Sequence, residues 1–106
     1  PQYRYLHVCF GIVAMETGNT MDYVKRYYFK AHCNAVLFVT ERYDARLKQN
    51  VRTLKSSRDL STEDMTTAIE RFRNWAATEG WYIPTPEEEY MIRQAEIEIN
   101  RRKEYL

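Results

Sequence analysis

Six cations, Arg42, Arg46, Lys48, Arg52, Lys55 and Arg58, crowd one stretch of the chain against a single acid, Asp44. The chemistry open to such a stretch is electrostatic: guanidinium and ammonium groups neutralise phosphates and release the counterions condensed around them. Tyr43 lies among these cations, and an aromatic ring can stack on an unpaired base. Gln49, Asn50, Thr53, Ser56 and Ser57 supply hydrogen-bonding groups alongside. A second cluster, Lys25, Arg26 and Lys30, precedes it. The competing reading is a charged, solvated loop that binds nothing. The charge balance favours a ligand. Through Arg58 ten Lys/Arg meet four acids, giving +6; from Asp59 onward six basic residues meet eleven acids, giving −5, and the halves sum to the net +1. A basic surface with an acidic counterpart suits an anionic polymer, and a head-to-partner arrangement between subunits.

Other chemistries find weaker support. His7 with Cys9 and His32 with Cys33 stand one or two positions apart, so on a helix each pair points to different sides and does not chelate. No metal and no cofactor is expected. Glu87, Glu88 and Glu89 fan out around a helix instead of converging as two-metal phosphoryl transfer requires, and their place in a first turn already has a dipole reason. No serine has a nucleophile-elbow setting. With two histidines, both near the amino end, acid-base catalysis has few candidates, and the chain is expected not to be an enzyme.

The elements that must position the cations follow from periodicity. Leu6, Cys9, Phe10, Val13 and Ala14 predict a first helix ending near Gly18, with Gly11 admitting another backbone. Asn19 and Thr20 can cap a second helix with Val24, Tyr27, Tyr28 and Ala31 inward and Lys25, Arg26 and Lys30 outward. Ala35 to Thr40 reads as a strand, and Glu41 to Lys55 as a basic hairpin or long loop. Ser61 with Asp64 resembles a capping box ahead of a helix bearing Met65, Ala68, Ile69, Phe72, Trp75 and Ala76, closed by Gly80. Thr85, Pro86 and Glu88 predict a last helix from Pro86. The expectation is one α+β, predominantly α-helical domain over residues 1–106, with four main helices and a short β-hairpin or strand element between helices two and three. At 106 residues it can bury roughly 65% of its unfolded surface without staples. Cys9 and Cys33, in apolar or helical surroundings with no leader ahead, suggest a reduced, cytoplasmic setting, and no apolar run approaches the roughly 20 residues of a membrane span. The chain enters a helical pattern directly after Pro1, which leaves room for a preceding segment.

The opening QYRYLHVCFGIVAMETG with the MDYVKRYYFK helix, and then SSRDLSTEDMTTAIERFRNWAATEGWYIPTP, resemble the phage NinB family, also called Orf, of recombination proteins. The likeness spans most of the chain from Gln2 to Pro86. It implies a homodimeric, non-enzymatic mediator that binds single-stranded DNA and helps a recombinase displace single-strand-binding protein, in a bacterial host and encoded by phage or prophage. It matches Gln2 and Arg4 to the family's polar, basic helix start and Ser57 and Arg58 to its second basic element. The family pattern has Asn where this chain has Tyr3, which can stack on a base instead. Family members also carry a β-rich segment ahead of the first helix, which this chain begins too late to include.

Together these readings place a positive groove along Lys25, Arg26, Lys30 and the 42–58 stretch. Arg4, Arg52, Lys55 and Arg58 are its principal expected phosphate contacts, with Tyr3 and Tyr43 as stacking platforms. Two rival readings remain open. One is a protein-protein adaptor presenting Phe72, Trp75 and a surplus stripe of Met91, Ile92, Ala95 and Ile99. The other is a helix-turn-helix reader of duplex DNA using the second helix.

Overall fold

The computed structural model describes residues 2–103. Helix α1, Gln2–Thr17, buries the apolar positions its spacing predicts. It stops at Gly18, where φ is +72° and the N–H donates to Ala14 O at 2.9 Å, a left-handed closure that a residue without Cβ adopts freely. Thr20 caps the next helix, its Oγ1 accepting from Tyr23 N at 3.0 Å.

That helix, α2, Met21–Tyr23, runs on into a π-helical segment, Val24–Cys33. In a π-helix each hydrogen bond closes one residue later than in an α-helix, so residues five apart share a face. Val24, Phe29 and Asn34 keep that interval and are fully buried. The face expected from α-helical spacing is therefore corrected. Tyr27 is 53% exposed, Tyr28 and Ala31 are half-buried, and Lys30, expected outside, is only 7% exposed. The end of the segment shows why. Asn34 Nδ2 donates to Phe29 O at 2.9 Å and to Ala68 O, on a later helix, at 3.0 Å.

The strand expected over Ala35 to Thr40 is divided. Ala35–Phe38 makes one helical turn, α3, because Asn34 O accepts from Leu37 N at 3.0 Å and Phe38 N at 3.1 Å. Strands β1, Val39–Asp44, and β2, Gln49–Leu54, then form the antiparallel hairpin expected in the basic stretch, with Val39 opposite Leu54 and Asp44 opposite Gln49. Lys55 N donates to Phe38 O at 2.8 Å and fastens the hairpin base to α3. The tip is held by Asp44, whose Oδ1 accepts from Arg46 N and Leu47 N at 2.8 and 3.1 Å.

After a single 3-10 turn, Ser57–Asp59, helix α4, Thr62–Thr78, begins on the expected cap, Ser61 Oγ accepting from Asp64 N at 3.1 Å. It ends in a Schellman closure around Gly80 at φ +85°, with Trp81 N donating to Ala76 O at 2.9 Å and Gly80 N to Ala77 O at 3.0 Å. The last helix, α5, is Glu89–Arg102 and starts later than Pro86. Glu88 Oε1 does accept from Thr85 N, at 2.9 Å, and from Tyr82 OH, but this box closes a turn ahead of the helix instead of its first turn.

Three edge-to-face phenylalanines join the layers. Phe10 lies 5.1 Å from Phe29 and 5.8 Å from Phe72, with Phe29 and Phe72 5.5 Å apart, so α1, the π-helical segment and α4 share one knot. Each such pair contributes about 0.5–1.5 kcal/mol beyond its buried area. Helix α5 packs along α1. Gly11 admits a side chain there instead of a backbone: a methyl at Gly11 would stand 2.5 Å from Ile99 Cγ1. The stripe expected as surplus is thus largely used within the fold, Ile99 being buried and Ile92 and Ala95 half-buried, while Met91 stays exposed. Phe72 likewise is core and is not presented. Among the described residues, no helix is long and apolar enough to cross a membrane.

Asn34→Ala is expected to lower stability by about 2–3 kcal/mol, because two buried carbonyls lose a donor. In urea that is a midpoint fall of about 1 M, and an unchanged midpoint shows that the winding is held elsewhere. Gly11→Ala should cost about 1–3 kcal/mol by overpacking and Ile99→Ala about 2–5 kcal/mol by cavity formation. The pair should cost less than the sum, by at least about 0.5 kcal/mol, since the new methyl enters the vacated space. Strict additivity in the same denaturation experiment refutes this packing.

Candidate nucleic-acid interface

Three separate segments meet around one recess of about 400 Å³. The first turns of α1 contribute Tyr3 and His7, the π-helical segment Lys25 and Lys30, and the stretch after β2 contributes Ser56, Ser57 and Arg58. Leu6 and Phe10, both buried core residues, close it on the inner side. Lys25 and Lys30 stand five residues apart, the interval that the π-helix aligns. Tyr3 is 60% exposed, its hydroxyl 3.5 Å from Ser57 O across the mouth. Ser56 Oγ accepts from Arg58 N at 3.2 Å, which orders the serine-arginine element and leaves the Ser56 proton free to donate.

Lys30 is the unusual member. Its Nζ donates to Lys55 O at 2.8 Å and sits 5.2 Å from the centre of the Phe38 ring. Among the described residues no carboxylate lies within ion-pair distance of it. Burial, then repulsion from Lys25 and Arg26, lowers its pKa, with Asp22 and Asp59 offsetting only part of the effect. The recess therefore holds a positive charge that the protein itself leaves largely unbalanced.

The hairpin carries Arg42, Arg46, Lys48 and Arg52 with two acids, Glu41 and Asp44. Glu41, Tyr43, Arg52 and Asn50 point to one side of it, since Glu41 faces Arg52 and Tyr43 faces Asn50 in register. Tyr43 is 64% exposed. Arg52 Nε stands 4.0 Å from Glu41 Oε1, a loose and solvent-screened pair. Arg52 also borders an apolar groove of about 610 Å³ lined by Tyr27, Ala31, Val36 and Val39. Lys55 lends its carbonyl to Lys30 while its own side chain is exposed.

Three expected contacts have partners outside the recess. Arg4 makes a two-pronged pair with Glu96 of α5, Nε to Oε2 at 3.1 Å and a terminal nitrogen to Oε1 at 2.8 Å, which also holds the Glu96 carboxyl below its usual range. Gln2 turns to α4, Nε2 donating to Thr66 Oγ1 at 3.0 Å. Arg26 is tied to Asp22 at 3.1 Å on the surface. Tyr3, Lys25, Lys30, Ser57 and Arg58 thus line one recess, Tyr43 and Arg52 share a face of the hairpin, and Gln2, Arg4 and Arg26 have partners outside the recess. His7, which the sequence offered as a metal ligand or an acid-base group, lines the recess as well; its place one turn after Tyr3 on α1 is the signal that puts it on the same face.

The thiols do not add a reactive centre. Burial pushes Cys9 up to about 12 and Cys33 up to about 11, so both remain protonated at neutral pH. Among the described residues no three His, Cys, Asp or Glu side chains gather as a metal cluster. No family model, no curated protein and no solved structure matches this chain.

Proposed function

We propose that the chain is a non-enzymatic single-stranded DNA-binding protein, its ligand running from the recess beneath Tyr3 along the basic hairpin. The observation that carries the reading is Lys30, a buried cation without a carboxylate partner among the described residues, in a recess shared with Lys25 and Arg58. A partly desolvated charge without an opposite partner costs stability, and such perturbed groups gather where a ligand supplies the missing charge. Phosphate is the anion that serines, lysines and an arginine grip together, and exposed Tyr3 and Tyr43 offer faces that unpaired bases can reach but stacked ones cannot.

The narrower role, a homodimeric recombination mediator that meets single-strand-binding protein in the cytoplasm of a phage-infected or prophage-bearing bacterium, rests on the sequence resemblance. The duplex-reading alternative loses ground because Lys30 turns inward and breaks the row of Lys25, Arg26 and Lys30. A protein-binding role has one observation in its favour, the apolar groove beside Val36, which is 89% exposed. That surface can serve a second copy or another protein without competing for the recess.

Fluorescence anisotropy with a labelled single strand should show log affinity falling with log salt at a slope near −3 for four phosphates held, about 0.7 for each. Lys25→Ala and Arg58→Ala should each flatten the slope by about 0.7. A salt-independent signal, or unlabelled duplex competing better than single strand, overturns the reading. Lys30→Met offers a cleaner dissection, since the free protein should be as stable or more stable without a buried charge while DNA affinity falls. Loss of stability with unchanged affinity would make Lys30 a structural residue only.

A further inference from the structure

The two basic surfaces differ in a way that bears on which part of a strand each can hold. On the hairpin the arginines are spread out, Arg42 of β1 and Arg52 of β2 on opposite faces and Arg46 at the tip. In the recess, Lys25, Lys30 and Arg58 line one space of about 400 Å³ whose inner side is made by Leu6 and Phe10. A phosphodiester within a strand carries one negative charge and has chain leaving on both sides. A terminal phosphomonoester carries close to two charges at neutral pH, presents three strong acceptor oxygens, and has chain on one side only. Cations around one recess backed by Leu6 and Phe10 fit the second better.

What lies past Tyr3 points the same way. The next cation on α1, Arg4, is held by Glu96, and Glu89 of α5 is close enough to act on its charge. A strand leaving the recess in that direction meets a tightly paired arginine and Glu89, whereas towards the hairpin it meets Arg42, Arg46 and the loosely paired Arg52. The positive path is therefore open at one end.

We propose that the recess is a receptor for the terminal phosphate of a single strand, with Tyr3 stacking on the first base. The inference rests on the nucleic-acid reading above and adds the part of the polymer that enters. Lys25, Lys30 and Arg58 balance the phosphate charge, and the Ser56 and Ser57 hydroxyls donate to its oxygens. Whether the terminus is 5′ or 3′ is decided by the sugar, and both present the same group to the recess.

Isothermal titration with three short single strands of one sequence tests it: 5′-phosphorylated, 3′-phosphorylated, and with hydroxyls at both ends. One phosphorylated strand should bind about tenfold tighter than the hydroxyl-ended strand, the gain of one further charge-assisted hydrogen bond. In the Lys25→Ala/Arg58→Ala double variant that ratio should fall to near parity. The Arg42→Ala/Arg46→Ala variant should weaken all three strands alike and keep the ratio. Equal binding of the three strands by the unaltered protein overturns the receptor and leaves the polymer reading standing. A preference that survives Lys25→Ala/Arg58→Ala places the terminus elsewhere and also overturns it. Binding of none of the strands overturns both.

Discussion

A buried amide with two acceptors holds this fold in register. Asn34 reaches back to Phe29 O and across to Ala68 O, so the end of the π-helical segment is tied to the middle of α4. The wide winding it closes sends Val24 and Phe29 into the core and sets Phe29 against Phe10 and Phe72. Lys30 follows Phe29 and is carried inside with it. With α-helical winding the residues that share a face are three and four apart, and Lys30 would leave the interior. The same Asn34 backbone oxygen also folds Ala35–Phe38 into a turn, which delivers Phe38 to the core and its carbonyl to Lys55 N. One residue thus sets the core, the hairpin base and the floor of the recess.

Such a fold must tolerate a charge that no carboxylate balances within ion-pair distance among the described residues. The ammonium of Lys30 has one carbonyl and one ring face as company, and both are weaker partners than a carboxylate. A methionine of similar reach would fill the same space without the desolvation penalty. The burial also lowers the Lys30 pKa, so the free protein gains stability from this group as pH rises toward the unfolded value and the folded state binds fewer protons than the unfolded one. An anion in the recess acts in the opposite direction, favouring the charged form. Binding of an anion there would therefore be coupled to proton uptake by Lys30, and would weaken as pH rises.

Much of the architecture was legible because it obeys local rules. Gly18 and Gly80 stop their helices in left-handed conformations, Ser61 caps α4, and alternating Val51, Thr53 and Leu54 among cations announced a hairpin strand. What could not be read depends on partners distant in sequence or on uncommon winding. The face of residues 24–33 was misplaced because a spacing of five matches no common template, and it is fixed by Ala68, far along the chain. Ala35–Phe38 has strand-forming side chains, yet capping by Asn34 overrides their propensity. The hairpin tip lacks the glycine or asparagine that marks such turns, with Lys48 at φ +53° in its place. Of the candidate contacts, Tyr3, Lys25, Lys30, Ser57 and Arg58 came together, while Gln2 turned to Thr66 and Arg4 is paired with a glutamate ninety-two positions away.

That lost arginine sharpens the charge pattern instead of weakening it. The acidic half of the chain reaches the basic half through Glu96 and neutralises it where α1 meets α5. Arg26 is similarly occupied by Asp22, and Arg52 more loosely by Glu41. Lys25, Lys30 and Arg58 in the recess have no such partner among the described residues. The molecule is 50 Å along its longest axis, several times the roughly 8 Å over which physiological salt screens exposed charges. A ligand at the recess consequently does not sense the net charge of +1, nor the carboxylates at remote positions on α4 and α5. It senses the few groups within a screening length, where Lys25, Lys30 and Arg58 outnumber the nearby carboxylates Asp22 and Asp59, and Asp22 is itself tied to Arg26.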